Sequence, residues 1–112
     1  MRGVLSGRFG GNAKGVFIRA PEGEPVRAVA PGRVVYADWM RGFGNLLLIR
    51  HADGWVTAYA HNEKLLVKRG ERVKRGQAIA QIGSTGNVSA PQLHFEIRKG
   101  TDPVDPLKYL GS

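Results

Sequence analysis

The sequence predicts an all-β fold built mainly of antiparallel sheet. Three observations predict it. Sixteen glycines and six prolines punctuate the chain, roughly every ten residues, which is the spacing of short strands joined by turns. The stretches between them mostly alternate apolar and polar residues, the period of a half-buried strand. No segment sustains the 3.6-residue repeat of an amphipathic helix, so little helix is expected.

The strands follow in order. Val26-Arg27-Ala28-Val29-Ala30 leads into a Pro31-Gly32 turn, and Val34-Val35-Tyr36-Ala37 leaves it. A hairpin comes next: Asn45 to His51, a turn at Ala52-Asp53-Gly54, then Trp55 to His61. Asp-Gly between two apolar runs marks a hairpin because glycine accepts the positive φ such turns demand. Ala78-Ile79-Ala80-Gln81-Ile82 and Leu93 to Arg98 supply the later strands. A weak internal echo links Gly23-Glu24-Pro25-Val26 and Pro31-Gly32-Arg33-Val34 with Gly70-Glu71-Arg72-Val73 and Gly76-Gln77-Ala78-Ile79. It is reminiscent of lipoyl and biotinyl carriers, but no modifiable lysine sits at a suitable hairpin tip, so it reads as shared architecture.

At 112 residues, one domain spanning 1–112 with one modest core is expected. No apolar run approaches the roughly 20 residues that span a bilayer, so this segment is not expected to insert in a membrane. No secretory leader follows Met1, and the chain is expected to be the C-terminal part of a longer exported protein. With no cysteine, disulfides and thiolate metal sites are excluded. The net charge of +8 favours acidic partners. The densest basic run, Lys68-Arg69-Gly70-Glu71-Arg72-Val73-Lys74-Arg75, carries no interleaved aromatics and reads as strand and turn surface, so no nucleic-acid partner is expected.

Chemistry could sit on two strands. In Gln92-Leu93-His94-Phe95-Glu96-Ile97-Arg98, alternation places Leu93, Phe95 and Ile97 on the core side and Gln92, His94, Glu96 and Arg98 on the other. In the hairpin, Trp55, Thr57, Tyr59 and His61 share a side, with Val56, Ala58 and Ala60 opposite. Each strand thus shows a histidine on a polar or aromatic face. They form a site if the strands meet in one groove, and are unrelated surface groups if they do not.

From about Gly15 to Leu110 the chain resembles the LytM, or M23, family of zinc peptidases that cleave peptidoglycan cross-links. The resemblance rests on Ala20-Pro21-Glu22-Gly23, Ala30-Pro31-Gly32-Arg33-Val34-Val35-Tyr36-Ala37, Gly42-Phe43-Gly44-Asn45, Tyr59-Ala60-His61 and Val73-Lys74-Arg75-Gly76-Gln77. Gly83-Ser84-Thr85-Gly86, Leu93-His94-Phe95-Glu96-Ile97-Arg98 and Pro103-Val104-Asp105-Pro106 continue it in order. It implies a fold of the duplicated hybrid-motif type with a groove across one sheet.

The family's active members hold zinc through a His-x-Gly-x-Asp segment and the second His of a His-x-His strand. Their remaining histidines serve the catalytic water. Carried over by position, the first ligand falls on Ala13, the Asp ligand on Phe17, and the first His of the strand on Gln92. Only His94 remains as a ligand, and His61 keeps one catalytic place. Catalytic zinc takes about three protein ligands and an open water position; Ala and Phe offer no lone pair. The resemblance therefore implies no zinc cofactor and no hydrolysis, with no activated water to attack a carbonyl.

Within the family the chain looks most like the degenerate, division-associated activators of the EnvC, NlpD and DipM type. That likeness implies a periplasmic module of the bacterial envelope that binds a peptidoglycan N-acetylmuramoyl-L-alanine amidase and activates it during cell separation. Lys14, Phe17, Tyr59, His61, Gln92, His94 and Arg98 are the expected partner-binding groove. Grooves that mix aromatics with arginine are typical of binding hot spots, although Phe17 could simply fill the vacated hole. Two other readings stand beside this one. One is a zinc endopeptidase that recruits another ligand such as His51; the other is a plain peptidoglycan-binding module held by its basic surface.

Overall fold

The computed structural model describes residues 3–11 and 13–108. Tyr109 and Leu110, where the family resemblance ends, lie outside them. Ten strands occur in order: β1 (Val4–Gly7), β2 (Val16–Arg19), β3 (Pro25–Arg27), β4 (Gly32–Met40) and β5 (Gly44–Arg50) come first. They are followed by β6 (Trp55–Leu65), β7 (Arg72–Val73), β8 (Ala78–Ile82), β9 (Gln92–Lys99) and β10 (Asp102–Val104). Among the described residues the only helical turns are two of 3₁₀ type, Ala52–Gly54 and Pro106–Lys108. Every strand pair is antiparallel. The fold class read from the sequence is the one observed.

The main path runs β1-β2-β9-β6-β5-β4-β7, with β10 on β9 and a β3–β8 pair attached through β6. The expected hairpin is β5–β6. Its turn puts Asp53 at φ 61° and Gly54 at φ 77°, the left-handed region that Asp-Gly tolerates. Strand β6 does two jobs. Its first half, Trp55 to Ala60, pairs with β9, and its second half, Asn62 to Leu65, pairs with β8. The switch falls at His61, whose φ of 69° is rare for a residue with a side chain.

The internal echo is architectural. Its first copy supplies β3 and β4, its second β7 and β8, and the copies interlock: β3 pairs with β8 while β4 pairs with β7. The Gly76 amide donates to the Ala28 carbonyl, and the Gly70 amide to the Val34 carbonyl, which ties the two turns together.

The core lies between the inner face of the sheet and the β3–β8 layer. Val16, Val26, Val34, Leu47, Ile49, Tyr59, Ile79, Ile82, Leu93, Phe95 and Ile97 fill it. A second, smaller cluster sits on the opposite face of the sheet, where Leu46, Ala58 and Ala60 pack with Tyr36, Phe43 and Leu48. Both faces of the central strands are therefore covered. This explains the unbroken run Leu46-Leu47-Leu48-Ile49, since a strand buried on both sides has no need to alternate.

Candidate functional site

Strand β9 organises the site. Leu93, Phe95 and Ile97 enter the core, which turns His94, Glu96 and Arg98 to the other face. On one side β2 brings Phe17 opposite His94. On the other, β6 brings Ala60 opposite His94 and Ala58 opposite Glu96. The two alanine methyl groups leave space above the sheet. A hollow of about 120 Å³ results, lined by Met40, Phe43, Leu46, Leu48 and Ala58 along one wall and His94, Glu96 and Arg98 along the floor.

The floor is a chain of charge. His94 Nε2–H donates to Glu96 Oε2 at 2.7 Å, and Arg98 Nε donates to Glu96 Oε1 at 2.8 Å. Glu96 is only 1% exposed. Burial alone pushes its carboxyl up, but the hydrogen bonds from His94 and Arg98, with the charges of both, hold it below its ordinary value. It is therefore an ion that serves two neighbours. The other ring nitrogen, His94 Nδ1, is buried and finds no hydrogen-bond partner. The Phe17 ring lies over His94, centroid to centroid 4.5 Å.

His61 reaches this face because its positive φ breaks the alternation of β6. Its ring centroid is 6.3 Å from that of His94. Nδ1–H donates to the Thr85 carbonyl at 2.8 Å, and its amide donates to the Phe43 carbonyl. Burial holds the imidazole below its ordinary pKa; the Thr85 hydrogen bond opposes this and nearby His94 adds to it. The two glycine-rich motifs are the clamp that sets this geometry. Thr85 Oγ1 donates to the Asn62 carbonyl and accepts from the Asn45 amide, while the Asn87 amide donates to the Gly42 carbonyl. Gly44, at φ 68°, lies so close to Thr85 that a Cβ would collide with it.

Four of the seven expected groove residues come together: Phe17, His61, His94 and Arg98. Gln92 lines an adjacent polar hollow with Gly86, Asn87, Val88 and Ser89, and its amide donates to the Ala90 carbonyl. Lys14 is exposed in the segment leading into β2. Tyr59 is on the wrong side of the sheet for a groove residue. It is 1% exposed, packs on Phe95 at 5.3 Å, and meets Thr57 through its hydroxyl. The expectation grouped Tyr59 with His61 by strict alternation; the bulge at His61 separates them, and Ala58 and Ala60 own the groove face instead. Missed altogether were Met40, Phe43, Leu46 and Leu48 as the wall; Glu96 was put on the right face by alternation but not counted in the groove, where it is the central anion. The doubly buried run in β5 was the available signal for Leu46 and Leu48.

Comparison with known proteins now decides the family. The model of peptidase family M23 matches residues 11–106. The chain belongs to this family. Among similar proteins, the lipoprotein NlpD/LppB homolog of Pseudomonas aeruginosa is 50% identical over 96% of this chain and 37% of its own length. The murein hydrolase activator NlpD of Escherichia coli is 51% identical over 90% of the chain and 26% of its own length. The chain thus spans well under half of these relatives. The catalytic domain of lysostaphin from Staphylococcus simulans matches with a TM-score of 0.84 at 35% identity, covering all of this chain and 91% of that one.

The zinc that M23 peptidases imply can be tested against these residues, and they do not fit it. The position carried over for the aspartate ligand holds Phe17, whose ring packs on His94. His94 spends Nε2 on Glu96, and Glu96 is itself engaged by Arg98. His51 lies elsewhere, its Nδ1–H donating to the Pro31 carbonyl and its Nε2 bonded to Thr57. Among the described residues no three His, Cys, Asp or Glu side chains gather as a metal site would require. The arrangement offers an apolar wall, a charged floor and one guanidinium at the open end.

Proposed function

We propose that this M23 domain is non-catalytic and activates a peptidoglycan N-acetylmuramoyl-L-alanine amidase by holding a segment of it in the groove. The observation that carries the reading is Phe17 packed on His94 where the family places a ligand. An aromatic side chain there blocks metal chemistry and offers an apolar contact in one stroke. The similar proteins named as murein hydrolase activators support the choice of a hydrolase as partner. The relatives named as lipoproteins support an envelope location, which we take to be periplasmic, with the domain forming one unit of a longer protein.

Activation requires that the domain bind the open amidase more tightly than the closed one. Moving an equilibrium from about 1:99 to 99:1 takes a preference of about 10⁴-fold. A groove that supplies an apolar wall and a charge-paired arginine can contribute such a difference if its complement is exposed only in the open enzyme.

Dye release from labelled sacculi tests this with amidase alone, domain alone and both together. Stimulation is expected only in the mixture, and Phe17→Asp or Met40→Glu should remove it. Met40 is the cleaner site because it is 38% exposed and lines the wall without supporting the fold. Release by the domain alone, sensitive to a chelator, would reinstate the zinc endopeptidase. Sedimentation with sacculi and no change in amidase rate would leave only a wall-binding module.

A further inference from the structure

Beyond the groove, the same face of the sheet carries a row of arginines that alternation and register bring together. Val73, Val34, Ile49 and Ile97 belong to the core. The strand residue beside each of them, Arg72, Arg33, Arg50 and Arg98, therefore turns to the groove face. Register then lines them up. Arg72 stands opposite Arg33 across β7 and β4, and Arg33 opposite Arg50 across β4 and β5. Arg50 stands opposite Val56 across β5 and β6, and Val56 opposite Arg98 across β6 and β9. One line across five strands thus holds four guanidinium groups with a single valine among them. Four inter-strand steps of ~4.8 Å make it about 19 Å long.

Nothing in the fold neutralises three of the four. Arg33, Arg50 and Arg72 are exposed. Among the described residues the ion pairs are those of Glu96 with His94 and Arg98, so these three have no carboxylate partner. Glu71 and Asp53, the acidic residues adjoining these strand ends, do not pair with them. Like charges directly opposite one another on a sheet repel. Arg98 is the exception and the link. Glu96 Oε1 takes both Nε and Nη2 of its guanidinium, yet 33% of the side chain stays exposed. The row thus begins at the hollow and runs out of it toward β7. Just inside the row, Leu48 and Ala58 oppose each other and line the hollow. An occupant that matches both features is apolar at one end and anionic along the rest. A polypeptide segment meets that description. A phosphate polymer has no side chain for a hollow of about 120 Å³, and a lipid surface is too broad to enter it.

We infer that the row is a docking track for an acidic segment of the partner protein. The segment seats one apolar side chain in the hollow and lays its carboxylates across Arg98, Arg50, Arg33 and Arg72. The planar guanidinium fork suits carboxylates, and each pairing relieves repulsion as well as adding a charge-assisted hydrogen bond. The apolar end of the track rests on the groove reading above; the acidic end rests on the row alone. Opposite charge spread along such a line also speeds encounter, so binding is expected to weaken as salt rises.

The first probe is a fluorescent oligoglutamate of about eight residues, long enough at ~3.3 Å per residue to span the row. The second is the same peptide with a terminal leucine. Saturable binding below about 1 mM is expected, weakening as salt rises from about 0.05 to 0.5 M. Amide shifts in NMR spectra should fall at Arg33, Arg50, Val56 and Arg72. The leucine should tighten binding by about tenfold and add shifts at Leu48 and Ala58. Arg33→Glu should weaken binding by about tenfold or more. By setting a carboxylate between Arg72 and Arg50 it should also raise the urea midpoint. Arg33→Gln should weaken binding less. Lys64→Glu makes the same charge change on the half of β6 that pairs with β8, and should bind like the parent. No saturable binding, equal loss in Lys64→Glu, a midpoint lowered by Arg33→Glu, or a leucine without effect would each overturn the inference. So would tighter binding of polyphosphate or of phosphatidylglycerol vesicles than of oligoglutamate. Amidase stimulation is read separately: its absence in the parent, with oligoglutamate still bound, sinks the amidase reading alone.

Discussion

The two faces of β9 are equally hidden and chemically opposite. Leu93, Phe95 and Ile97 are 4%, 2% and 6% exposed, and His94 and Glu96 on the other side are 6% and 1% exposed. The first face does what a core strand should, removing apolar surface from water. The second buries a carboxylate with a histidine and an arginine, which is weak evidence for stability, because well-packed apolar side chains in place of a buried ionic group are often as stable or more so. Burial alone thus does not say what a face is for. The apolar face holds the domain together, whereas the polar face sets an ionic cluster beside the hollow. Phe95→Ala tests the first half of this contrast with the largest effect: about 3–5 kcal/mol of stability should be lost. Urea unfolding would show it as a lower midpoint with little change in slope, and a loss under about 1 kcal/mol would mean that this face is not the core.

The second half of the contrast needs two variants. Glu96→Ala strips His94 and Arg98 of their common partner. Its cost should fall toward the lower end of the roughly 3–5 kcal/mol seen when one member of a buried pair is removed, because a third of the Arg98 side chain stays in solvent. Glu96→Leu combined with Arg98→Met removes the charges together and should return most of that loss. The same double variant should fail to stimulate an amidase. Full stability together with full stimulation would reduce the charged floor to packing. Arg98→Glu is a poor probe by comparison: it would set a second carboxylate beside buried Glu96, so lost activity could not be told from lost fold.

Much of this was legible from sequence, and the gaps have physical causes. Alternation in residues 93–98 placed all six side chains on their correct faces, because β9 pairs in unbroken register there. The same rule failed in β6, where one residue at φ 69° reverses the alternation and small residues occupy the face that large ones were expected to fill. A bulge leaves no mark in a hydrophobic pattern when both faces of the strand are buried. The groove wall was invisible for a related reason. Met40, Phe43, Leu46 and Leu48 lie 46 or more residues before His94 in the chain, and only the pairing of β5 with β6 and of β6 with β9 brings them over it.

The smallest expected effect concerns protons, and it separates the surroundings of His61 from those of the Glu96 carboxylate. Burial holds folded His61 below the 6.5 of an unperturbed imidazole, and its partners hold folded Glu96 below 4.5. In each case the unfolded chain takes up a proton first as pH falls, so both groups make the protein less stable in acid. His61 begins to act as pH drops through about 6.5, with a slope no steeper than about 1.4 kcal/mol per pH unit for one proton. Glu96 adds its loss below about 4.5, as the pH approaches its folded value. His61→Asn, whose amide can still donate to the Thr85 carbonyl, should flatten the stability curve between about pH 6.5 and 5 and leave the lower step in place. Urea midpoints across that range measure it. A parent protein that grew more stable on falling through pH 6.5 would put the proton on His61 in the folded state, and the ring would then have to face water or an anion instead of the closed, charge-neutral contact with Thr85.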